Sequence, residues 1–174
     1  MTRERELIQF LDEAAIKKVH IRYCRGIDRM DWDLIRSCYH ADAIDDHGEY
    51  VGGIDGFIEY CKVGCPTFVS TTHFTGNQLV EVDGDVAWAE HYARAYHRVA
   101  GQGGEADKDL VVNTRYIDRF ERRSGEWRIA HRQVVVDTDR VDQVLERWVP
   151  EVQLRAKRDM TDPSYAHLIR NGRT

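Results

Sequence analysis

From Glu6 to about Cys24 the apolar residues Leu7, Phe10, Leu11, Ala14, Ala15, Val19 and Tyr23 recur at three- and four-residue steps. That spacing puts them on one face of an amphipathic helix of about five turns, with Gly26 as the expected stop. Asp31 is placed to cap a short second helix through Trp32, Leu34, Ile35 and Cys38, and GGIDGFIEYC reads as a third helix beginning after Gly53. Between them, His47-Gly48 in AIDDHGEYVG is a candidate hairpin turn.

After Pro66 the period changes to two and β-branched and aromatic residues dominate, which predicts strands over 71–82, 86–99, 110–123 and 126–137. Asp83-Gly84 and Ser124-Gly125 are short-turn signals, so the strands should pair as two hairpins. The polar GQGGEADKD loop between the hairpins is a candidate mobile edge of any cavity the sheet makes. Helices first and an antiparallel sheet after them give an α+β domain over 1–138, with the helices on one face of a curved sheet. The tail, 139–174, carries a weakly helical VDQVLERWVPEV and is expected to fold over the domain or onto a neighbouring subunit.

The chain has 174 residues, 42% hydrophobic and 32% charged, which suits one globular domain. A net charge of -5 with scattered basic residues argues against a nucleic-acid partner. MTRERELIQFLDE has no long uncharged stretch, so a signal peptide or membrane span is not expected and a cytoplasmic location is. Cysteines at 24, 38, 61 and 65 make neither a redox pair nor a zinc-ribbon spacing, and read as free, mostly buried thiols. There is no G-x-S-x-G elbow, phosphate-cradling glycine loop or H-E-x-x-H pair. His91 and His97 share a strand face, but six residues of strand span roughly 20 Å, too far to share a metal. Neither a cofactor nor a metal is expected.

On the alternate face of that strand, Tyr92, Arg94 and Tyr96 could form a pocket wall, or equally an outer aromatic stripe with Arg stacked on it. His73, in STTHFTGNQLVEV, lies on one face with Thr71, Thr75 and Asn77. An imidazole acting as a base needs a carboxylate on one nitrogen to fix its tautomer and stabilise the imidazolium. Asp28, just past the first helix, is either that carboxylate or a cap.

RYCRGIDRMDWDLIRSCYHADAI, THFTGNQLVEVDGD and RYIDRFERRSGEWRIAHRQV together resemble the SnoaL-like, nuclear-transport-factor-type superfamily. The resemblance implies a cone-shaped α+β barrel: three N-terminal helices on a strongly curved, mostly antiparallel sheet enclosing a pocket. A narrower similarity is to the scytalone dehydratase, hexachlorocyclohexane dehydrochlorinase and bile acid 7α-dehydratase group. It implies Asp28 and His73 as the working pair, Tyr23 as a hydrogen-bond donor to an enolate oxygen or departing hydroxyl, and Arg132 as a positive charge that helps fix the pair. Tyr23 could instead be a core residue and Arg132 an ion-pair partner within the sheet. Strand alternation suggests Phe68, Tyr92, Tyr96 and Tyr116, with Thr71, for substrate binding. The implied activity is a dehydratase-type lyase acting on a hydroxylated ketone or enone ring, steroid- or polyketide-like. Its rivals are an isomerase or polyketide cyclase and a non-catalytic binding protein. The resemblance also implies a homo-oligomer, dimer or trimer, with Trp148 and the tail as one source of contact.

Overall fold

The structure, a computed structural model, describes residues 2–150 and 152–167. Helix α1 runs Arg3–Arg29, two turns beyond the periodic stretch, because Thr2 caps its start and Met30, at φ 51, closes its end. Gly26 therefore does not stop the helix. It is where α2 (Trp32–Ser37) crosses: a Cβ on Gly26 would meet Ile35 Cγ1 at 2.6 Å. Asp31 caps α2 as expected, its Oδ1 accepting from Leu34 N at 3.1 Å.

Strands β1 (Tyr39–Asp46) and β2 (Val51–Gly53) make the small antiparallel hairpin around His47-Gly48, and α3 (Ile54–Gly64) follows. A single 3-10 turn, Cys65–Thr67, leads into β3 (Phe68–Asp83), β4 (Val86–Val99), β5 (Asp107–Arg123) and β6 (Glu126–Val144). The sheet order is β2-β1-β6-β5-β4-β3, with β1 parallel to β6 and the other pairs antiparallel. Register shifts leave extra residues in β3 and β6 that break the ladders of these long strands, and such residues bend a sheet. The architecture is α+β, three helices packed on an open, curved six-stranded sheet that makes a cone.

The core lies between α1 and the concave face, around Ile16, Val19, Ile27, Ile35, Phe57, Phe120 and Ile129. The facing positions of β4 are small, Ala87, Ala89, Ala93 and Ala95, all buried, which lets α1 approach the sheet. Leu7, Phe10 and Leu11 share the helical period yet are exposed, because the first turns of α1 extend past the sheet. The four cysteines are free, three of them buried. No helix among the described residues is long and apolar enough to cross a membrane.

The tail departs from expectation. VDQVLERW is not helical: residues 139–144 continue β6, and among the described residues of the tail the one helix is the short α4, Pro163–His167. From Arg155 onward the tail returns to the end of α1. There Arg25 donates to Ser164 Oγ (3.0 Å), Tyr165 donates to Asp31 Oδ2 (2.9 Å) and Arg29 lies 3.4 Å from Asp162.

Candidate active site

Running α1 on to Arg29 places Asp28 inside its last turn, facing β3. Its carboxylate accepts three hydrogen bonds: from His73 Nδ1 (2.8 Å), the His73 backbone N–H (3.0 Å) and Thr71 Oγ1 (3.0 Å). Burial works against the charged carboxylate, but the bonds from His73 and Thr71 outweigh it and hold Asp28 below the ordinary 3.8. With a carboxylate on Nδ1, that nitrogen carries the ring proton, so Nε2 presents a lone pair. The imidazole is 6% exposed, and the ring of His97 meets it edge-on at 5.5 Å. Phe68 packs in turn on His97 at 4.7 Å. Burial first, then the neighbouring His73, pushes His97 down to about 4, so it stays neutral.

A second polar cluster fills the cone further in. Arg132 is fully buried and doubly paired to Asp118 at 2.7 Å through Nε and Nη2, the bidentate geometry a guanidinium favours. Tyr23, Tyr116 and Tyr39 surround its cationic carbon at 4.1, 4.5 and 5.6 Å. Tyr39 donates to Asp45 (2.7 Å), Asp45 pairs with His47 Nδ1, and Tyr23 OH reaches His47 Nε2 at 3.1 Å. His20 and His91 stack at 4.1 Å with planes 8° apart. Burial drives both below their ordinary value, His91 to about 4.

Of the residues singled out in the sequence, Asp28, His73 and Thr71 meet, and Phe68 stands one ring away. Thr71 hydrogen-bonds Asp28 and so positions the carboxylate. Tyr23 and Tyr116 are interior, but their partners are Arg132 and, for Tyr23, His47. Arg132 contacts Asp118, Tyr39 and His20; its hydrogen bonds do not reach His73 or Asp28. Tyr92 and Tyr96 correct the expectation more sharply. They lie on the outer face, with Arg115 over Tyr92 at 5.9 Å and Arg98 over Tyr96 at 5.9 Å. The concave face of β4 is the one with His91, His97 and the alanines, because only small side chains leave room for α1.

Two groups escaped sequence reasoning, the His47–Asp45 pair and Asp118, while His97, read there only against a metal site, stands beside His73. Asp118 had a readable signal, an acid in an alternating strand opposite Arg132 in register. His20, His91 and Asp118 are the one potential metal-ligand group among the described residues, their atoms within 4.8 Å. They do not suit an ion: both ring nitrogens of His20 are already engaged, by Cys24 and Arg132, and Arg132 occupies the Asp118 carboxylate.

Open space adjoins the first pair. A cavity of about 290 Å³ is lined by Cys24, Arg25, Asp28, His73 and Thr75, among others. A larger one of about 620 Å³ runs from Asp28 and Thr71 to Trp148 and Arg155, under the returning tail. A buried, carboxylate-held imidazole with a free lone pair beside a cavity can remove a proton from a bound molecule.

The SnoaL-like domain profile matches residues 9–133. No protein of curated function matches the sequence. Among solved structures, a protein of unknown function from Mycobacterium tuberculosis carrying one Asp-to-Asn substitution is 28% identical, with TM-score 0.65, covering 79% of this chain and 77% of its own. A hexachlorocyclohexane dehydrochlorinase from Novosphingobium barchaimii LL02 is 18% identical, with TM-score 0.71 and coverage of 83% and 99%. A candidate scytalone dehydratase from Novosphingobium aromaticivorans DSM 12444 is 17% identical, with TM-score 0.67 and coverage of 84% and 97%. At that identity the last two share the fold with this chain, and the fold alone does not fix a reaction.

Proposed function

The chain belongs to the SnoaL-like domain family, and from that membership we propose that it is a lyase of the dehydratase type, removing water from a hydroxylated ring ketone or enone. The observation that carries the proposal is the three-bonded Asp28 carboxylate, which leaves His73 a fixed Nδ1–H tautomer with Nε2 free. The dehydratase and dehydrochlorinase among the similar structures lend support, since both names denote eliminations.

His73 Nε2 takes the acidic proton from the carbon next to the carbonyl, and the electron pair of that C–H bond forms the enolate. The imidazolium is stabilised by Asp28, much as a carboxylate stabilises a catalytic imidazolium elsewhere. The enolate re-forms its carbonyl, a C=C bond is made and the β-carbon–oxygen bond breaks. The hydroxyl leaves as water with a proton returned by His73 Nε2–H. One base thus serves both steps, so no second acid is needed at the pair, and Tyr23 is a structural neighbour of Arg132 and His47 in this scheme. The chemistry asks for a base and hydrogen-bond donors, not an electron carrier.

The test is incubation of the protein, beside His73→Ala and Asp28→Asn, with hydroxylated steroid and polyketide ketones, following mass and enone absorbance. Loss of 18 mass units with wild type alone is the expected result, the mass of one water. Equal product from all three proteins refutes the scheme. Conserved mass with a shifted enone band would instead assign isomerisation or cyclisation, and binding without turnover a carrier role.

A further inference from the structure

The cavity of about 290 Å³ that Asp28 and His73 line has one hydroxyl on its wall, that of Thr75, with Cys24 beside it. Thr71, His73 and Thr75 all turn inward from β3, as alternation requires, and the first two are spent on Asp28. Thr75 Oγ1 instead lies 3.6 Å from Cys24 Sγ, and Cys24 Sγ lies 3.5 Å from His20 Nε2. His20 Nδ1 is in turn 3.4 Å from Arg132 Nη2, on the guanidinium that Asp118 holds. A line of contacts runs from the buried cation inside the cone to the wall of the cavity beside His73.

The direction of each link is set by its chemistry. A guanidinium only donates, so His20 Nδ1 accepts and a neutral His20 carries its ring proton on Nε2. Burial, then the neighbouring His91 and Arg132, pushes His20 well below its ordinary 6.5 and keeps it neutral. Nε2–H then donates to the Cys24 sulfur. Burial pushes the Cys24 thiol up to about 12, so the sulfur keeps its own proton as well. Cys38 sends its thiol proton back to the Leu34 carbonyl; for Cys24, among the described residues, Thr75 Oγ1 is the acceptor left to it. Reversing this last link would leave a buried thiol proton without an acceptor. Thr75 Oγ1 therefore receives from Cys24, and its own O–H is free for the cavity.

We propose that Thr75 is a catalytic residue, the hydroxyl that donates to the carbonyl oxygen of the substrate as it becomes an enolate, and that Arg132, His20 and Cys24 are positioning residues that aim its proton. In this role, which rests on the dehydratase reading, Thr75 supplies the donor that His73 cannot be while it acts as base. The two residues stand two apart on one strand, roughly 7 Å between Cα atoms. A carbon acid lying along β3 can then offer its C–H to His73 and its oxygen to Thr75. Ile21 and Phe74, both exposed, line the same cavity and give a ring an apolar flank. A donor oriented before charge develops costs no reorganisation when it does.

The test uses an enolate mimic and needs no turnover. 4-Nitrophenolate, and nitrobenzene as the probe lacking the oxygen, are titrated calorimetrically into wild type, Thr75→Val, Thr75→Ser, Cys24→Ser and Cys24→Ala. Thr75→Val keeps the shape and should lose phenolate affinity by about tenfold or more, the worth of a hydrogen bond to a charged group, while binding nitrobenzene as before. Thr75→Ser and Cys24→Ser, which keep the donors, should behave as wild type, and Cys24→Ala should lose part of the preference for phenolate. A wild type that binds the phenolate no better than nitrobenzene overturns the proposal. So does a Thr75→Val protein that keeps the preference, or one that loses both probes equally, which would make Thr75 a packing residue; an unchanged Cys24→Ala protein refutes the chain behind it. Should Thr75 prove to hold the phenolate while wild type eliminates water from no ring ketone, the donor stands and the dehydratase reading falls. Elimination that is unchanged in Thr75→Val does the reverse.

Discussion

Asp28→Asn is the sharpest perturbation of the pair, since it keeps size and shape and removes only charge and one acceptor. In the wild type Oδ1 accepts from His73 Nδ1 and Thr71 Oγ1, and Oδ2 accepts from the His73 backbone N–H. An asparagine has one acceptor oxygen and one NH2 group. Oriented with its oxygen toward Nδ1, it sets its NH2 against the His73 backbone N–H; flipped, it sets NH2 against Nδ1 and selects the tautomer with the proton on Nε2, which is useless as a base. Either way one charge-assisted bond, about 1.5–3 kcal/mol, is lost. The imidazolium also loses its counter-charge, so the rate should fall about 10²- to 10⁴-fold, the upper figure being that of the equivalent change in a serine protease. Stability follows the same carboxylate. Its pKa is lower folded than unfolded, so the stabilisation is fully present above the ordinary 3.8 and disappears as pH falls through the folded value. At pH 7 the loss should lower the melting temperature by about 3–12 °C, and the gap between variant and wild type should close as pH falls below the ordinary 3.8. Steady-state kinetics and melting curves from pH 3 to 8 measure both. An Asp28→Asn protein with wild-type kcat/KM, or a melting gap unchanged on acidification, would refute the reasoning.

Gly26→Ala should destabilise the fold by about 1–3 kcal/mol although alanine favours a helix, because its Cβ would lie 2.6 Å from Ile35 Cγ1; a higher melting temperature would refute the close approach. Asp118→Asn leaves Arg132 buried without its partner and should cost about 3–5 kcal/mol, read by chemical denaturation, with a cost under about 1 kcal/mol arguing against the pair. His91, fully buried and held to about 4, binds a proton more readily unfolded than folded, so it makes stability fall as pH drops from 6.5 toward that value. The slope is about 1.4 kcal/mol per pH unit at most, and a His91→Gln protein should show a flatter dependence over that range in pH-dependent denaturation. Leu7, Phe10 and Leu11 project from α1 as one exposed apolar face, which a second copy of the chain is expected to cover; Phe10→Asp should lower the mass found by light scattering, and a monomeric wild type would dispose of that idea.

The sequence by itself determined the elements that rest on local rules. Period-two alternation and the Gly84 and Gly125 turns, both at positive φ, set the hairpins, and β4 runs Val86–Val99 as the pattern predicts. Asp31 capped α2 from its side-chain chemistry alone. Alternation sorts residues into two faces, but it does not say which face is concave. Tyr92 and Tyr96, which alternation allows as a pocket wall or as an outer stripe, therefore take the outer face, and the small buried alanines of the other face are the sign of it, since a helix packs closest where side chains are small. The limits of α1 were likewise not local. Gly26 serves contact with Ile35 rather than termination, which carries the helix on to present Asp28 to β3. Whether Asp28 meets His73, 45 residues away, which acid holds Arg132, and where the tail lays Arg158 depend on strand register and on chain segments returning to one another. Such contacts are made by the packed whole, because an individual polar side chain gains its partner only when burial removes water from both.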